Sequence, residues 1–158
     1  MNRLHTDATS LIHTVGWQKA GAACPAGSAE QVRLPFALDA ASGTDLPDPF
    51  AAAAFAATRE DAAGRPIGSS ESVPAFHAWR AMTLLPAFLL GIETVSGSIR
   101  AGKSADFLWF EDDPTRPESS RPTLRGVFIK DELCRTDTQT DFSTHSNRVL
   151  NIYNLFMN

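Results

Sequence analysis

Six consecutive residues, Ala105-Asp106-Phe107-Leu108-Trp109-Phe110, constrain this chain most, because any strand they form carries apolar side chains on both faces. Successive strand residues point to opposite sides, so Phe107 and Trp109 share one face while Leu108 and Phe110 share the other. Such a strand is expected to be covered on two sides, as in a sheet packed against another layer. Glu111-Asp112-Asp113-Pro114 closes it with a turn, and Leu124 to Ile129 followed by Lys130-Asp131-Glu132 and Leu133 predicts a final hairpin.

Upstream, the apolar run Leu34, Phe36, Ala37, Leu38 within Val32 to Ala41 predicts a short buried strand. It ends in the polar turn Ser42-Gly43-Thr44-Asp45, so Asp45 sits where a strand stops. Asp48-Pro49-Phe50 supplies a helix start: aspartate can cap free N–H groups, and proline at the first helical position loses nothing. The alanine-rich helix that follows should run to about Arg59. Asp61 to Ser70, with Gly64, Pro66 and Gly68, is a loop, and Ser72 is the next expected cap.

Phe76, Trp79, Met82 and Leu85 then recur at helical spacing until Pro86 interrupts them, which predicts a second short helix starting there. Its capping position falls near Leu85, and leucine in place of serine or asparagine costs on the order of 1 kcal/mol. Gly91 is the natural stop. Residues 1–31, rich in Ala, Gly, Thr and Ser, predict loop and partial helix without a defined element. The tail is polar from Arg135 through Ser146, then apolar at Val149, Ile152, Tyr153 and Phe156, one face of a short helix.

The length of 158 residues suits one domain with a real core. With 14 Lys and Arg against 18 Asp and Glu, the net charge of −4 offers no basic stripe, which argues against a nucleic-acid partner. The run Ala51 to Ala57 falls far short of the ~20 apolar residues of a membrane span, and no charged-then-apolar leader opens the chain, so a soluble cytoplasmic protein is expected. Cys24 and Cys134 form no CxxC pair and are expected to be reduced.

Read in order, Gly43-Thr44-Asp45, Asp48-Pro49-Phe50, Thr58-Arg59, Arg80-Ala81-Met82-Thr83, Pro86-Ala87 and Gly91 lead into Gly97-Ser98-Ile99, Gly102-Lys103 and Ala105-Asp106-Phe107. This succession resembles the C-terminal end of the amidohydrolase superfamily, and within it the amidohydrolase family 3 type. The likeness covers about Leu34 to Leu133. It implies an α/β architecture in which the last units of a metal-dependent hydrolase (β/α)8 barrel (32–92) precede part of a small β-sandwich (93–134). A weakly defined segment (1–31) and an unmatched tail (135–158) flank these parts. A complete barrel needs about 250 residues, or at least about 200, so the chain cannot hold a whole barrel and a second domain.

The resemblance assigns chemistry to one residue. The Gly-Thr-Asp aspartate of such barrels binds metal and takes a proton from the attacking water, so Asp45 inherits both roles. A metal-activated water would attack an amide-type carbonyl of a small-molecule substrate, and the protonated aspartate would return its proton to the leaving nitrogen. The cofactor implied is a divalent metal, zinc by expectation. One carboxylate cannot hold it, because catalytic zinc takes about three protein ligands. The His-x-His pair, the midway lysine and the further histidines of full-length relatives have no counterpart among these residues.

Without the surrounding motifs, a turn-forming role ahead of the Asp48 cap is the commoner reading of Asp45. The stretch from His5 to Ser10 loosely resembles a substrate-facing loop of the family, yet a lone histidine in a loop is more often solvated than ligating. His77 is expected at a helix surface or core edge, and Asp106 is expected to tie down a turn through backbone N–H groups. Two functional classes follow: a hydrolase of non-peptide carbon–nitrogen bonds, or a non-catalytic truncated remnant or docking subunit. Either would rely on a complementary barrel chain or a homo-oligomer for the rest of the site.

Overall fold

The computed structural model describes residues 4–5, 7–40, 48–116, 122–130 and 132–134. The backbone forms two compact units, Met1–Met82 and Thr83–Asn158. Among the described residues no helix is long and apolar enough to cross a membrane.

The first unit is helical. Helix α1 spans Ala8–Val15, α2 Trp17–Gly21 and α3 Ala26–Gln31, so the N-terminal stretch is more regular than its composition suggests. Helix α4, Pro49–Thr58, starts as expected: Asp48 Oδ1 accepts from Phe50 N–H at 3.0 Å and Ala51 N–H at 3.1 Å, with Pro49 at the first position. It ends at Arg59 in the left-handed region, φ 56° and ψ 37°. Alanines let α4 approach α5 (Ala75–Arg80) closely, and the Phe50 ring meets Trp79 edge-on with centroids 5.4 Å apart. Phe55 and Ile67 are fully buried here, contributing about 2–3 kcal/mol each.

Three expectations for this unit need correction. Residues 34–40 form no strand, and Val32 and Leu34 are 72% and 60% exposed. A strand is held by a ladder, whereas the backbone bonds of this stretch go to scattered partners: Leu34 N–H to Ala29 C=O at 2.8 Å, Leu38 N–H to Ala81 C=O at 2.9 Å, and Ala40 C=O from Asp48 N–H at 3.1 Å. Ser72 caps no helix: it follows a 3-10 turn, Ser69–Glu71, and α5 begins three residues later behind Pro74. The helix break falls at 81–83 rather than at Pro86.

In the second unit, helix α6 spans Leu84–Leu89 with Thr83, not Leu85, at the capping position. Pro86 sits in its first turn, where the missing N–H would have had no intrahelical partner. Gly91, at φ +69°, stops the helix as expected. Its N–H donates to Phe88 C=O at 3.1 Å and the Ile92 N–H to Ala87 C=O at 2.9 Å, the paired bonds of a Schellman ending.

Strands β1 (Phe107–Phe110), β2 (Leu124–Ile129) and β3 (Glu132–Cys134) form one antiparallel sheet in that order. Phe107 pairs with Phe128, Leu108 with Val127 and Trp109 with Gly126, and the register shifts before Phe110 meets Leu124. Phe107 and Phe128 stack at 4.2 Å. The expectation of two covered faces is half met: Leu108, Phe110 and Val127 are buried, but Trp109 is 55% exposed. The polar Asp106 behaves as expected. Its Oδ1 accepts from Lys130 N–H at 2.8 Å and its Oδ2 from the Ser104 hydroxyl at 2.6 Å, fixing the β2–β3 turn to the start of β1.

Candidate functional site

Asp45, the residue to which the sequence assigns catalysis and metal binding, lies outside the described residues. Asp48 N–H donates to Ala40 C=O at 3.1 Å, at the start of α4. The Asp48 carboxylate is committed to capping that helix, as its sequence position suggested.

The histidines take structural places. His5 Nδ1 donates to Glu60 C=O at 3.1 Å and its ring lies edge-on to Phe55 at 5.8 Å, so it anchors the N-terminus to the end of α4. A backbone carbonyl can only accept, which makes Nδ1 the protonated nitrogen. His77 on α5 pairs with the Glu30 carboxylate on α3. His13 is exposed in the last turn of α1, and His145 lies outside the described residues. Among the described residues, no group of three or more His, Cys, Asp or Glu is placed to hold a metal ion. These residues therefore do not fit a resident divalent ion.

Arg59, which the sequence marked by its motif and not by its burial, is the hub of the unit. It is fully buried. Its Nε donates to Ile67 C=O at 3.0 Å, Nη2 to Gly21 and Ala23 C=O at 3.1 Å each, and Nη1 to Cys24 C=O at 3.4 Å. The guanidinium also lies over the Phe55 ring, 4.9 Å from its centroid. Burial lowers its pKa, against the attraction of Cys24 and Glu71. Gly21 ends α2, where carbonyl groups have no intrahelical donors, and Ala23 and Cys24 follow its cap residue Ala22. An arginine in the left-handed position after a helix was the available signal, since glycine is the usual residue there.

Two carboxylates tighten the same unit. Asp61 Oδ1 accepts from Ala63 and Arg65 N–H at 2.9 and 2.8 Å, and Oδ2 from Arg65 Nε at 2.7 Å. The Arg65 backbone and side-chain donors hold its pKa below the ordinary value. Glu71 accepts from the Ser28 hydroxyl at 2.6 Å and the Ser28 N–H at 2.8 Å, which lowers its pKa likewise.

In the second unit, the Gly97-Ser98-Ile99 to Lys103 string is structural. Lys103 Nζ donates to Glu93 C=O, to Ser98 Oγ at 2.7 Å and to Ser96 C=O at 3.5 Å. Gly97, at φ +88°, lets the backbone approach α6, for a Cβ there would stand 2.5 Å from Ala87 Cβ.

The model of the amidohydrolase family matches residues 7–128. The N-substituted formamide deformylase of Arthrobacter pascens is 40% identical over 83 residues, which are 52% of this chain and 15% of that protein. No solved structure gives a significant match.

Proposed function

Because the chain belongs to the amidohydrolase family, in the family 3 type, we propose that it is the C-terminal portion of a hydrolase of non-peptide carbon–nitrogen bonds acting on a small amide-type substrate. The observation that carries this reading is the family match across 7–128, which includes Asp45, the Gly97 to Lys103 string and β1. In it, Asp45 takes a proton from the attacking water and returns it to the leaving nitrogen. The family's divalent metal, zinc by expectation, would need ligands beyond the described residues. The relative's name suggests N-substituted formamides as the substrates to try first.

A second reading, a non-catalytic docking piece, is favoured by how little of the relative is aligned, 15% of its length. One experiment separates the two. The chain is mixed with the part of the Arthrobacter pascens deformylase that precedes the aligned stretch, and formate release from N-substituted formamides is followed. The hydrolase reading expects release above either component alone, falling by about 100-fold or more with Asp45→Asn. Equal release with Asp45→Asn rejects the role of Asp45, and association without release supports the docking reading.

A further inference from the structure

We propose that residues 17–31 form a strap over the first unit that is held by carboxylate clasps and opens on acidification before the rest of the unit unfolds. Its two ends are built as hinges. Gly16 adopts φ 79° and ψ 161°, a region open essentially to glycine, and nothing lies within 4 Å of the position a Cβ would take. Arg33 follows at φ 55° in the left-handed region. Outside these hinges the chain is anchored independently. Arg65 Nη2 donates to Thr9 Oγ1 at 2.6 Å and Ala62 N–H to His5 C=O at 3.2 Å before the strap, and Leu38 N–H bonds Ala81 C=O after it.

Apolar adhesion between the hinges is small. Ala20, Ala26 and Gly27 are the buried residues of α2 and α3, and Trp17 is 55% exposed. The strap instead approaches the unit backbone to backbone: a Cβ on Gly21 would stand 3.2 Å from Gly68 Cα, and one on Gly27 2.7 Å from Ser70 C=O. Three side chains close it. Arg59 holds the carbonyls of Gly21, Ala23 and Cys24, Glu71 holds the N–H and hydroxyl of Ser28, and His77 pairs with Glu30. Helix α3 has Pro25 at its capping position, so the Glu71 carboxylate supplies from outside the cap that α3 lacks.

Acid acts on the Glu71 clasp. Glu71 faces Ser28 and Gly27 of α3 and the Arg59 guanidinium, while Cys24 is the titratable group beside Arg59. A carboxylate whose folded pKa is depressed contributes stability above its unfolded pKa, and that contribution is lost as pH falls through the folded value. Protonating Glu71 removes an acceptor from Ser28 and the countercharge from Arg59.

Amide hydrogen exchange of the full chain between about pH 7 and about pH 3, corrected for intrinsic rates, tests this. Protection within 17–31 should be weaker than within Pro49–Thr58 and should fall first as pH drops. Glu71→Gln should lower protection of 28–31 by about tenfold at neutral pH and flatten its pH response, with Pro49–Thr58 unchanged. Loss of protection in 17–31 and Pro49–Thr58 together at every pH would overturn the proposal, as would a wild-type pH response in Glu71→Gln. If that variant fails to fold, the wild-type comparison of the two segments decides alone.

Discussion

The Asp48 N–H donates to the Ala40 carbonyl at 3.1 Å while the Asp48 carboxylate caps α4, so one residue both ends the stretch containing Asp45 and starts the helix behind it. Asp48→Ala should cost about 1 kcal/mol of stability, and Asp48→Asn much less, because asparagine caps nearly as well. Urea denaturation of the two variants measures the difference. Equal losses would mean that the cap contributes little.

Arg59→Lys should be strongly destabilising, by about 3 kcal/mol, although the charge is kept. The guanidinium serves four carbonyls in different directions, and a single ammonium cannot reach them all. Buried acceptors left unpaired are the cost. A thermal midpoint close to wild type would contradict the hub role.

These contacts explain what was legible in the sequence. Helix α4 could be located because its cap, its first-turn proline and its alanines are local signals, and the Gly91 stop is equally local. Helices α2 and α3 were hidden because Arg59, Glu71 and His77, distant in sequence, hold them in place. The apolar run at 32–41 misled for the opposite reason: Leu34 and Leu38 suit a strand, but a strand also needs a ladder partner. Pro86 reads as a break in the sequence pattern, whereas a first-turn proline is compatible with a helix that starts at Leu84. Asp45 rests on its motif.

Acid should weaken the protein in a defined direction. Asp61, Glu71 and Asp113 all have depressed pKa values, from the Arg65 donors, the Ser28 donors and the Thr115 hydroxyl and N–H respectively. Each contributes stability above its unfolded pKa that is lost as pH falls through its folded value. Urea midpoints should therefore be flat near neutrality and fall below the ordinary carboxylate range, less steeply in Asp61→Asn. A midpoint rising on acidification would be inconsistent with these contacts.

Two glycines of the family string should respond differently to alanine. Gly97→Ala meets both a positive φ and the Ala87 Cβ, and should lose about 2–3 kcal/mol. Gly102→Ala, at φ +87° in open space, meets only the backbone penalty of about 1 kcal/mol. Thermal unfolding of the pair checks the order, and a reversed order would refute the close approach of Gly97 to α6.

The central claim is that this chain carries one carboxylate of a hydrolase site whose remaining ligands come from elsewhere. Zinc analysis of the purified chain tests it most directly, with Asp45→Ala as the control. The account predicts zinc well below one ion per chain, unchanged by Asp45→Ala. One tightly held zinc per chain, lost in Asp45→Ala, would contradict it and make the site self-sufficient.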